Sequence, residues 1–206
     1  VLDASRITFY EAISKTELSF TNCDVVTGTF MTRDADSAFI LTNTKLLSTT
    51  TSNGTDEGNY NEGVITLINS ILTYSAQLTN NGTIKLDANS CLTAPSIVGT
   101  GKFIIDATGL MADKLVIDAD LSGFTGTIEV IGADASYEIT EDGVVVKVAK
   151  YVAEINGVKY TSLEDAFKAA VEGDTIVLLA DATPALKSQS AITKASVIDL
   201  GKFTLT

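Results

Sequence analysis

Histidine is missing from all 206 residues. With it go Ser-His and Cys-His nucleophilic pairs, HExxH zinc sites and acid–base catalysis by imidazole. Cysteine occurs only twice, at Cys23 and Cys91, which is too few to staple a chain of this size and is not a metal-binding spacing. Proline also occurs twice, and no apolar run approaches the roughly 18 residues that a membrane-spanning helix needs. Basic residues are scarce, with 14 Lys and Arg against 26 Asp and Glu, a net charge of −12. No basic cluster offsets that balance, which repels nucleic acid and anionic membranes and leaves cations acceptable as ligands. The chain begins at Val1 with neither a Met nor a signal sequence, so its targeting information is expected to lie outside it.

What is present is 45% hydrophobic, mostly Val, Ile and Leu in short runs among Thr, Ser, Asn and Gly. That is β-rich composition, in a chain long enough to bury a core. The stretch Gly63 to Leu72, GVITLINSIL, has counterparts on both sides. Phe20-Thr21-Asn22 leads to Val25, Leu41-Thr42-Asn43 to Leu46, and Leu67-Ile68-Asn69 to Leu72. A repeat of this length reads as successive coils of a β-solenoid. By strand alternation Phe20 and Asn22, Leu41 and Asn43, and Leu67 and Asn69 share a face, so the Asn residues are expected to stack as an interior ladder. Asn89 with Leu92 is a fourth, imperfect copy, because Leu86 stands three residues before the Asn rather than two. A bulge or shifted turn accounts for that. Cys23 and Cys91 fall on the first and last copies; three coil steps of about 4.8 Å separate them by about 14 Å, so both thiols are expected to be unpaired and mostly buried.

Further along, Ile84–Ala88, Phe103–Ala107 and Leu115–Ala119 all end in Asp-Ala, and Val197-Ile198-Asp199 echoes them. An Asp there caps the following turn by accepting from N–H groups two residues on. A calcium-binding Asp column is the alternative, and calcium is the one cofactor left open; no other is expected. The segment Ser48 to Asn61 reads as a polar loop between coils. Gly99-Thr100-Gly101-Lys102 is only superficially a phosphate loop and reads as a turn. Near Ala149 the period changes: residues 1–149 form one β-block, and 150–206 hold an Asn156-Gly157 hairpin, a helix and the start of a second block. The helix runs from about Ser162 to Val171, with Leu163, Ala166, Phe167 and Ala170 on one apolar face.

TSLEDAFKAAVEGDTIVLLADAT followed by ITKASVIDLGKFTL resembles the opening of right-handed parallel β-helix domains of the pectin-lyase-like class, especially those repeated in large bacterial cell-surface proteins. Residues 83–148, with turns at Gly99, Gly101 and Phe124, resemble the closing coils of such a block. The resemblance implies a mainly β fold, a right-handed parallel β-helix with one short capping helix near the C-terminus, at an extracellular or cell-surface location. It implies a non-enzymatic structural or adhesive module whose partners are glycans or host and cell-surface proteins. It carries no catalytic residue. The alternative is a carbohydrate-active β-helix enzyme, a polysaccharide lyase or hydrolase, needing paired carboxylates or Asp-bound calcium with a basic residue nearby. Arg33, Asp34 and Asp36, with Asp56 and Glu57, are the polar clusters that would serve it. Finally, the strand at Val197 to Thr206 lies near an unpaired edge that invites edge-to-edge self-association.

Overall fold

The structure, a computed structural model, describes residues 2–3, 7–14, 16–52, 58–132, 134–183 and 197–206. The chain divides into two compact units, Val1–Val148 and Ala149–Thr206.

The first unit is a parallel β-solenoid; the chain makes about eight turns of it. Its first face is a seven-stranded parallel sheet built from Leu2–Asp3, Glu17–Thr21, Ala38–Thr42, Val64–Ile68, Thr83–Asp87, Lys102–Asp106 and Thr127–Ile131. The register places Phe20, Leu41, Leu67, Leu86, Ile105 and Val130 in one column, so the repeated apolar residue of the sequence is a coil position. All but Val130 are buried, because residues two apart in an extended strand face the same side and this side is the interior. A parallel inward column holds Phe39, Ile65, Ile84, Phe103 and Ile128. Phe39 lies 4.2 Å, centroid to centroid, from Phe30 and 6.1 Å from Phe20.

The aliphatic residue after each Asn opens the second face. Val25, Leu46, Leu72 and Leu92 stack in register there and continue to Ile117. A short third face is made by Asn59–Asn61, Leu78–Asn80 and residues 97–98. Ser48 to Asn61 is therefore not one polar loop: Ser48 ends the strand Lys45–Ser48, and Asn59–Asn61 is a buried strand. Leu115–Ala119 does not stack with the other two Asp-Ala strands. It lies in Lys114–Asp120 on the second face, while Asp87 and Asp106 pair with each other on the first. The parallel order of the second face ends there, since Lys114–Asp120 pairs antiparallel with Gly143–Val148, which pairs antiparallel with Ala135–Thr140.

In the second unit, Ala153–Ile155 and Val158–Tyr160 form a hairpin around Asn156 (φ 50°) and Gly157 (φ 84°), the positive angles a type I′ turn requires. The helix Leu163–Ala169 starts at Ser162, whose hydroxyl accepts from the Asp165 N–H, with Glu164 and Asp165 in its first turn. Its face of Leu163, Ala166 and Ala170 packs with Ala153, Ile155, Ile176 and Leu178, a core belonging to this unit. After the helix, Thr175 pairs in parallel with Val197 and Ala182 with Leu205, the spacing of one coil. No described helix is long and apolar enough to cross a membrane.

Candidate functional site

The polar residues of the repeat gather at the corner where the first face turns into the second. Asn22, Asn43 and Asn69 occupy left-handed backbone there, with φ of 54°, 48° and 48°. Asn tolerates that conformation better than most residues. The Asn22 and Asn43 N–H groups donate to Thr42 O and Ile68 O of the next coil, both at 2.9 Å. The side chains form an amide ladder: Asn43 Nδ2 donates to Asn22 Oδ1 at 3.2 Å and Asn69 Nδ2 to Asn43 Oδ1 at 2.9 Å. This ladder is on the outside, not the interior, because all three side chains are exposed. Strand alternation holds only while the backbone is extended, and the left-handed residue turns its own side chain outward and the next one inward.

That next residue is a position the sequence reading missed, except at Cys23, whose burial it expected. Cys23, Thr44, Ser70 and Ser90 each follow an Asn. The Thr44 hydroxyl accepts from Cys23 N, Ser70 Oγ from Thr44 N and Ser90 Oγ from Ser70 N, at 3.3, 3.0 and 3.0 Å. Thr44 Oγ1 and Ser70 Oγ in turn donate to the carbonyls of Thr42 and Ile68 at 2.9 and 2.8 Å. Backbone groups that the bend removes from the sheets are thereby satisfied in the interior. A small hydroxyl or thiol after each Asn was the available signal.

Asn89 does not extend the outer ladder. The corner from Leu86 to Leu92 is one residue longer than its neighbours, and Asp87 takes over. Its carboxylate accepts from Asn69 N at 3.1 and 3.0 Å and from Asn89 N at 3.2 Å, and from the Ser90 hydroxyl at 2.6 Å. Other Asp residues at strand ends make the same turn: Asp106 accepts from Thr108 N, Asp120 from Ser122 N and Asp199 from Gly201 N, at 2.9, 2.8 and 2.9 Å. The bonds to Thr108, side chain first and then backbone, hold the Asp106 carboxyl below its ordinary value, and the backbone bond to Ser122 does the same for Asp120. Among the described residues no group of three or more His, Cys, Asp or Glu is placed to hold a metal ion.

The corner that closes each coil is equally regular. Gly63, Gly82, Gly101 and Gly126 each precede a first-face strand, and a Cβ on any of them would lie under 3.0 Å from the carbonyl oxygen of the residue one coil earlier, Ser37, Gly63, Gly82 or Gly101. Those carbonyls accept the N–H groups of Val64, Thr83, Lys102 and Thr127 at 2.9, 2.8, 2.8 and 3.0 Å. Beside them Asn61 and Asn80 form a buried amide pair: Asn61 Nδ2 donates to Asn80 Oδ1 at 2.8 Å, and the Thr32 hydroxyl donates to Asn61 Oδ1 at 2.7 Å.

Arg33, Asp34 and Asp36 sit on an exposed turn after the strand Asp24–Thr32. The Arg33 guanidinium lies 5.9 Å from the centre of the Tyr60 ring, and the backbone carbonyl of Asp34 accepts from Ser37 N at 3.0 Å. Asp56 and Glu57 lie outside the described residues. Neither cysteine is in a disulfide; Cys23 is buried, and Cys91 is half-buried, with its thiol pushed up by burial.

Along the outer side of the amide corner run two open hollows that share Asn89. One, about 320 Å³, is lined by Asn43, Thr44, Lys45, Asn69, Ile71 and Asn89. The other, about 400 Å³, lies between residues 88–89 and the 108–114 loop. No family model, curated protein or solved structure matches the chain. The functional reading therefore rests on this geometry.

Proposed function

We propose that this chain is a non-enzymatic structural and adhesive module of an extracellular, cell-surface bacterial protein, related to the pectin-lyase-like surface modules its second unit resembles. The observation that carries the proposal is how the polar side chains of the corners are used. The Asn22–Asn43–Asn69 ladder, the Thr44–Ser70–Ser90 column and the Asp87 carboxylate bond to one another and to the backbone along the stack, coil after coil. Groups so engaged hold coils in register, and a fold by itself implies no chemistry. A solenoid stacked this way is suited to act as a spacer that carries contact surfaces on its outer corners and loops. The test is incubation of the full chain with acidic and neutral polysaccharides, with and without calcium. The expected result is no new reducing ends and no unsaturated products. Turnover that disappears on Asp34→Ala or Asp36→Ala would replace this reading with a carbohydrate-active enzyme.

A further inference from the structure

We propose that the groove formed by the two hollows beside Asn89 binds a neutral, hydroxyl-rich chain, a linear oligosaccharide, laid across successive coils from Asn43 to the 108–114 loop. This rests on the adhesive reading above and gives it a site.

The groove wall has hydrogen-bonding capacity that the fold does not consume. A carboxamide carries two donors and an acceptor. The ladder takes one donor from Asn43 and one from Asn69, and the Asn89 amide and the Lys45 ammonium have no protein partner among the described residues. Coils repeat every 4.8 Å or so, so Asn43 and Asn69 stand one coil step apart with Asn89 on the coil after them, which suits a ligand that itself repeats. Aliphatic surface stands beside them: Ile71 is 41% exposed and Met111 90% exposed. Together they offer amides to hydroxyls and methyl groups to the C–H faces of sugar rings.

Other ligand classes fit less well. An extended peptide docks by adding a strand to a free sheet edge, but the corner N–H groups of Asn22, Asn43 and Asn69 are already bonded. Polyanions meet a chain of net charge −12. Among the described residues no aromatic ring lines either hollow, and the groove is open, so binding is weak, with a Kd on the order of 1 mM.

The experiment is an NMR titration of the nitrogen-15-labelled full chain with cellohexaose and, separately, with hexagalacturonate. Cellohexaose is expected to shift the side-chain amide signals of Asn43, Asn69 and Asn89 saturably. Asn89→Ala, which removes no side-chain bond of the fold, is expected to weaken binding about fivefold with an unchanged melting temperature; Lys45→Ala is the second variant and is expected to weaken it as well. Absence of saturable shifts, shifts that map elsewhere, unchanged affinity in both variants, or a stronger response to hexagalacturonate would overturn the proposal. Shifts elsewhere without cleavage leave the adhesive module standing without this groove. New reducing ends in the same samples overturn the non-enzymatic reading and leave the groove in place.

Discussion

Gly82→Ala is expected to destabilise the solenoid unit by about 3 kcal/mol, at the upper end of what overpacking a tight site costs. The backbone angles of Gly82 are not the cause, since its φ is not positive. The cause is contact between coils. An added Cβ would lie under 3.0 Å from Gly63 O and from the backbone of Glu62, none of which is the end of a flexible side chain. That same Gly63 carbonyl accepts the Thr83 N–H at 2.8 Å, so the coils cannot part at this corner without lengthening a sheet bond. For a domain of this size the loss corresponds to a fall in Tm of about 6–12 °C. Thr100→Ala, at an exposed corner position one coil on, is expected to change stability by no more than about 0.5 kcal/mol. Thermal unfolding of the two variants makes the comparison. Equal small effects would mean that the glycine column does not set the approach of the coils.

The second large effect separates the two amide systems. Asn61→Leu is expected to cost about 3 kcal/mol, because it leaves the buried Asn80 carbonyl oxygen and the Thr32 hydroxyl without their amide partner. Asn69 belongs to the exposed ladder, so its amide bond is worth much less. Asn69→Gly is expected to be nearly neutral, whereas Asn69→Leu should cost about 1 kcal/mol through the left-handed φ of 48° that a larger side chain adopts with strain. Urea unfolding monitored by circular dichroism gives the order Asn61→Leu, then Asn69→Leu, then Asn69→Gly. An Asn69→Leu loss as large as that of Asn61→Leu would contradict the placement of the ladder on the outside.

Much of the solenoid is visible in the sequence because its coil positions are filled by large apolar residues. Phe20, Leu41 and Leu67 recur with an Asn two residues later, and that Asn marks a corner. The side on which the Asn lies is not visible, since a single left-handed residue breaks the alternation from which sides are read. The inward Thr44 and Ser70 were hidden for the same reason, and Ser90 by the extra residue in the corner from Leu86 to Leu92, whereas the burial of Cys23 was expected. Glycines before the first-face strands were visible singly as turn residues, but their function depends on the coil stacked against them, which no local pattern reveals. Asp87, Asp106 and Asp199 were legible as turn caps because the bond is local, two residues long. The similar Leu115–Ala119 lies on another face, because matching strand chemistry does not say which face of the coil a strand occupies. Asn59 and Asn61 sit in a stretch whose composition is that of a loop, and their burial follows from pairing with Leu78–Asn80, nineteen residues away.

The stacking register is the claim on which the rest depends, and paired cysteines test it most directly. In a background carrying Cys23→Ser and Cys91→Ser, Lys85→Cys is combined either with Ile104→Cys or with Glu129→Cys. Lys85 and Ile104 are register partners on adjacent coils of the first face, and Glu129 is the partner of Ile104 one coil further. Adjacent strands lie about 4.8 Å apart, within disulfide reach, and a two-coil separation of about 9.6 Å is beyond it. Mild oxidation is predicted to join the 85/104 pair in the monomer and to leave the 85/129 pair reduced. Intramolecular joining of 85 to 129, or failure of 85 to join 104 in a folded variant, would contradict the solenoid register described here.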